Sequence, residues 1–142
     1  MKSILLAIFA GFLFGAYNYC MKLSAHLVHE VLGAVILQVV AFFIGAAVLI
    51  YLKWNQVPMA WNNLGLKYAI AGGIFVGLGE IFSFYVFSSG MKVSLGVPII
   101  IGITIMTSVI LGVVFSKELI SMQHLIGMLF ISGGVALLVW NG

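Results

Sequence analysis

The sequence predicts an all-α membrane protein of five transmembrane helices, and three observations carry that expectation. Of 142 residues, 64% are apolar and only 6% charged, with a mean hydropathy of +1.30, whereas charged residues make up about a quarter of a soluble domain. The apolar residues fall into five stretches of spanning length: Ser3 to Met21, Leu32 to Leu52, Tyr68 to Ser89, Val93 to Phe115 and Met122 to Trp140. Each of the six lysines (Lys2, Lys22, Lys53, Lys67, Lys92, Lys117) falls at or beyond the end of a stretch. At 1.5 Å per residue a stretch of about 20 residues matches the roughly 30 Å hydrocarbon layer. Backbone groups in lipid must pair internally, so each stretch reads as a helix, and the short alternating strands of a barrel are absent.

The first stretch follows Lys2 as a signal peptide would, but Ala16-Tyr17-Asn18-Tyr19-Cys20 lacks the small-residue pattern of a cleavage or lipidation site, so it is expected to be a retained helix. It carries Gly11, Gly15 and Asn18 on one stripe, with Tyr17 and Tyr19 beside it. Asn18 suits a substrate polar group or an acid on another helix, and equally an interhelical hydrogen bond. Tyr17 is a candidate for the same site or an anchor of the aromatic belt. Cys20 is the sole cysteine, which excludes an intrachain disulfide.

His26, His29 and Glu30 precede the second helix without the spacing that places two imidazoles on one helix face, so no metal site is expected. Within the second helix Gln38 is a lone polar residue, read as packing glue. The segment Lys53 to Lys67, with Trp54, Pro58 and Trp61, reads as an interfacial loop.

The third helix contains the most informative residue. Glu80 is the one carboxylate inside any apolar stretch, a placement costing about 2.5 to 3.5 kcal/mol on insertion scales and commonly tied to transport or proton exchange. Gly73, Gly77, Glu80 and Phe84 recur at helical spacing, which puts the acid beside two residues that permit close helix approach. Glu80 is therefore expected to face protein. Desolvation favours its neutral form and a bound cation its charged form, and the two tendencies together suit a proton-for-cation exchanger. The alternative is a structural acid held by a neighbouring helix.

The fourth helix opens with Gly96-Val97-Pro98 and continues through Gly102, Thr104, Thr107 and Ser108. Pro98 removes a backbone donor, which implies either a bend beside a cavity or an ordinary kink. Thr104 and Ser108, one turn apart, are candidate ligands or packing donors. In the fifth helix Gly127, Ser132, Gly133 and Gly134 form a small-residue face suited to a helix contact or a dimer surface. The turns at Gly90-Met91-Lys92 and at Ser116 to Ser121 are short, so helices three to five are expected to form one compact unit.

Some function classes are disfavoured. The lysines are scattered, against a nucleic-acid interface. The chain shows no nucleophile–base pair, phosphate loop, metal cluster or cofactor motif, so nothing points to an enzyme. Lys2, Lys53, Lys67 and Lys117 share a side with the N-terminus against Lys22 and Lys92 on the other, which favours a cytoplasmic N-terminus while leaving dual topology open.

The run Met91-Lys92-Val93-Ser94-Leu95-Gly96-Val97-Pro98-Ile99, then Val113-Val114-Phe115-Ser116-Lys117-Glu118, Leu125-Ile126-Gly127 and Gly133-Gly134-Val135, resembles the EamA-type repeat of the drug/metabolite transporter superfamily. The resemblance is strongest from Gly72 to Val139 and implies one five-helix repeat over residues 1–142. Most relatives join two inverted repeats around a substrate path, so the resemblance implies pairing into ten helices. An antiparallel homodimer similar to the small multidrug resistance proteins is expected, with a parallel dimer or a paralogous partner as alternatives. It further implies that the first, third and fourth helices, carrying Asn18, Glu80 and Pro98, line the path. The first helix lacks the membrane glutamate of the small multidrug resistance proteins, so their mechanism does not transfer directly. The expected function is secondary transport of a small polar or cationic metabolite across a prokaryotic plasma (inner) membrane, possible proton coupling resting on Glu80. A lipid-linked sugar flippase subunit and a non-transporting assembly subunit are the alternatives.

Overall fold

The computed structural model describes residues 2–140 and contains five helices: α1 (Lys2–Ser24), α2 (Glu30–Trp54), α3 (Asn63–Ser88), α4 (Val93–Ser116) and α5 (Met122–Trp140). All five are long and apolar enough to cross a membrane. Even the shortest, α5 with 19 residues, reaches about 28 Å. Most of their large apolar side chains are exposed on the chain, the arrangement expected when lipid, not a protein core, solvates the outer surface.

The helix limits differ from the hydropathy limits mainly where side chains cap the backbone. α3 begins five residues before Tyr68, because the Asn62 side chain accepts from the Leu64 and Gly65 amides at 2.7 and 3.4 Å. Asn is a preferred N-cap since it satisfies amides left unpaired in the first turn. Lys67, expected in the loop, is therefore helical. α2 starts at Glu30 with His29 as its cap, Nδ1 accepting from the Val31 amide at 3.3 Å. Its other end closes as a left-handed turn. Gln56 has φ 54°, its amide bonds to the Lys53 carbonyl at 3.0 Å, and the Val57 amide bonds to the Leu52 carbonyl at 3.1 Å, the paired pattern that satisfies terminal carbonyls. The connection between α2 and α3 thus shortens to residues 55–62, with Trp54 and Trp61 exposed at its ends.

The chain divides into two compact units, one of α1 to α3 and one of α4 and α5. The expected grouping of helices three to five is not what forms. A short turn such as Ser89–Lys92 fixes chain continuity, but packing is decided by which surfaces interlock, and α3 interlocks with α2 and α1. Between α2 and α3 the Phe84 ring, 1% exposed, lies on Gly33, where an added Cβ would stand 2.5 Å from Phe84 Cε1. One turn and more along, Gly77 faces the Gln38 amide, whose Oε1 would be 3.5 Å from a Cβ there. The pairs Gly33–Phe84 and Gln38–Gly77 run in opposite directions along the chain, so α2 and α3 are antiparallel. Among the described residues Met21, Ala25, Ala34 and Phe87 are the other buried apolar side chains.

In the second unit Gly102 of α4 receives Val135 of α5, whose Cγ2 would be 2.7 Å from an added Cβ. Small residues let helices approach where no hydrophobic force distinguishes protein from lipid. Gly102→Ala is therefore expected to lower the thermal stability of the purified protein by about 1 kcal/mol or more. Gly102→Ala with Val135→Ala should recover most of that loss, as read by circular dichroism melting in detergent.

Candidate functional site

Glu80 lies eight residues before the end of α3, about 12 Å along the helix, and is part-buried. Its partner is on α1: the Tyr17 hydroxyl donates a hydrogen bond to Glu80 Oε2. The geometry follows from helical phase. Gly77 and Phe84 are seven residues apart and nearly eclipsed, whereas Glu80 is rotated about 60° from Gly77 and about 40° from Phe84 at 100° per residue. The expected single stripe of Gly73, Gly77, Glu80 and Phe84 therefore splits between neighbours. Gly77 and Phe84 meet α2, Glu80 meets α1, and a Cβ at Gly73 would meet nothing within 4 Å.

α1 and α3 run parallel, and a second bond shows it. Lys22 Nζ donates to the Phe87 carbonyl at 3.0 Å and lies 3.3 Å from His26 Nε2. The separations in sequence, 63 for Tyr17–Glu80 and 65 for Lys22–Phe87, are nearly constant, as parallel helices in fixed register require. A cation at the carbonyl end of a helix is also favourable to its dipole.

The arrangement can hold a proton in either state. A phenol is donor and acceptor, so Tyr17 can donate to the ionised carboxylate or accept from the protonated acid. One phenol leaves the carboxylate with further acceptor positions, enough for a proton or a cationic substrate group. Phe14 lies edge-on to the Tyr17 ring, with centroids 6.4 Å apart.

The other sequence candidates take different places. Asn18 is part-buried but donates through Nδ2 to the Phe14 carbonyl of its own helix at 2.7 Å. Among the described residues neither Glu80 nor another helix is its hydrogen-bond partner. Thr104 likewise donates to the Ile100 carbonyl one turn back at 2.8 Å, an internal bond common for hydroxyls in helices. Ser108 is exposed, and Pro98 sits inside α4, which continues through it. Gly11, Gly15, Gly127, Gly133 and Gly134 have open space where a side chain would begin. Thr104, Ser108 and Pro98 belong to the second compact unit, while Tyr17 and Glu80 belong to the first.

The places of Gln38 beside Gly77 and of Lys22 at the Phe87 carbonyl were not expected. Gln38 meets Gly77, one turn from Glu80 along α3, and its signal was its isolation in an otherwise apolar helix. Lys22 gave only a topological signal, since a terminal lysine reads the same whether it faces water or a helix end. Among the described residues no group of three or more His, Cys, Asp or Glu is placed to hold a metal ion. No family model, curated protein or solved structure matches this chain.

Proposed function

We propose that the chain is one half of a secondary transporter for a small polar or cationic metabolite, with Glu80 as the carboxylate that a proton and the substrate occupy in turn. The observation that carries this reading is the Tyr17–Glu80 hydrogen bond, which joins the one intramembrane acid to a proton-bearing partner on a neighbouring helix. An intramembrane ionisable group so placed suits an ion or substrate path. In the proposed cycle Glu80 loses its proton, binds the substrate's cationic or hydroxyl-rich group, and is reprotonated as the substrate leaves on the other side.

Pairing of two chains into ten helices completes the proposed path. It is supported by the resemblance to the five-helix repeat and by the open glycine faces at Gly11, Gly15, Gly127, Gly133 and Gly134, which leave room for a second helix surface. Inverted pairing is the form that gives alternating access from rigid bodies.

The test is electrical. Purified protein in liposomes on a solid support should give currents on addition of amine or polyhydroxylated metabolites, and these should reverse with the imposed proton gradient. A panel of amines, amino acids and sugars that produces no current and no thermal shift would defeat the transport reading.

A further inference from the structure

The C-terminal hairpin contains a groove unrelated to Glu80. It lies between α4 and α5, has a volume of about 380 Å³, and is floored by Val109, Val113, Met128 and Ile131. At its mouth, on the α4–α5 turn, the polar residues Glu118, Gln123 and His124 stand beside Leu119 and Ile120. An apolar floor inside a spanning hairpin and polar groups at its end match a ligand with a hydrocarbon chain and a polar head.

The charge at the mouth narrows the choice. After α4 the chain turns through Lys117 in the left-handed region, φ 53°, and the Glu118 amide returns to the Gly112 carbonyl at 3.2 Å. This folds the Glu118 side chain back over the helix. Its Oε2 lies 3.0 Å, and its Cδ 3.3 Å, from where a Cβ on Gly112 would be, so only glycine leaves this seat free. The carboxylate thus rests against the carbonyl end of α4, where the helix dipole is also negative. Among the described residues no lysine or histidine nitrogen forms an ion pair with Glu118. A hydrogen-bonding cation complements both negative sources. The His124 ring and Gln123 amide beside it supply donors for an adjacent phosphate or ester oxygen.

We propose that this groove seats a bilayer lipid with a phosphoethanolamine head, its ammonium on Glu118, its phosphate toward Gln123 and His124, and one acyl chain along Val109, Val113 and Met128. The site is independent of the transport reading, because neither Tyr17 nor Glu80 takes part in it.

Native mass spectrometry of the purified protein, after exchange into equimolar mixtures of phosphatidylethanolamine, phosphatidylcholine and phosphatidylglycerol, tests the assignment. The wild type should retain phosphatidylethanolamine at least about fivefold over the other two, since a quaternary ammonium has no proton to donate and phosphatidylglycerol has no cation. Glu118→Gln should abolish that preference. Gly112→Ala, which displaces the carboxylate without removing it, should reduce it. Should Glu118→Gln fail to fold, Met128→Trp, which fills the floor, should lower total lipid retention in the same measurement. Equal retention of the three lipids by the wild type would overturn the proposal. So would an unchanged preference in Glu118→Gln.

Discussion

Replacing Glu80 with glutamine should reduce proton-driven flux by about a hundredfold or more, the scale of losing an essential proton-transfer group, while leaving the folded protein intact. Glutamine keeps the size of the side chain and a carbonyl oxygen that accepts from the Tyr17 hydroxyl, so the contact between α1 and α3 survives. What disappears is the exchangeable proton and the negative charge. Substrate exchange without a proton gradient and the pH dependence of transport should both be affected, because one carboxylate is proposed to serve both. Tyr17→Phe separates the roles: it removes the donor and keeps the acid. Flux should persist in that variant, in contrast to Glu80→Gln, because the exchangeable carboxyl group is kept while its one hydrogen-bond partner on α1 is lost. Liposome currents across a pH series give both readouts, and size-exclusion profiles verify the fold. Full proton-coupled flux from Glu80→Gln would end the assignment of Glu80 as carrier.

The largest expected effect on stability is at Gly33. Any side chain there begins 2.5 Å from Phe84 Cε1 and 2.6 Å from Cζ, far inside van der Waals contact. Phe84 is 1% exposed, so the ring cannot swing away without displacing its own neighbours. Gly33→Val should therefore cost about 1 to 3 kcal/mol or more through overpacking. It should also loosen the α2–α3 pair that holds α3 in the phase presenting Glu80 to Tyr17. Thermal melts in detergent should show the loss, and Phe84→Leu in the same chain should return part of it. A Gly33→Val protein as stable as the wild type would mean that Phe84 does not seat on α2.

Much of the fold was legible because composition speaks directly to the solvent. Five apolar stretches with lysines at their limits leave few alternatives to five spanning helices, and α5 has the limits its hydropathy gives. Hydropathy failed where polar residues act through the backbone. Asn62 looks like loop, yet as a cap it starts α3, and no apolar average registers that. It failed again over grouping, since the stripe with Gly77 and Phe84 marks a packing face on α3 but not which helix supplies the facing Gly33. At the site, Glu80 was legible as the one carboxylate in an apolar stretch and Tyr17 as a candidate beside Asn18, and the structure brings Tyr17 and Glu80 together. Asn18 and Thr104 were also legible as polar, but a short side chain in a helix has a backbone carbonyl one turn back within reach. Both use it, a choice that residue type alone does not reveal.

The two bonds between α1 and α3, Tyr17 to Glu80 and Lys22 to the Phe87 carbonyl, fasten these staves at points five residues apart on one and seven on the other. With two rivets neither stave can slide or pivot against its mate unless a bond opens. In the proposed transport cycle Tyr17 therefore moves with Glu80 for as long as both bonds are kept.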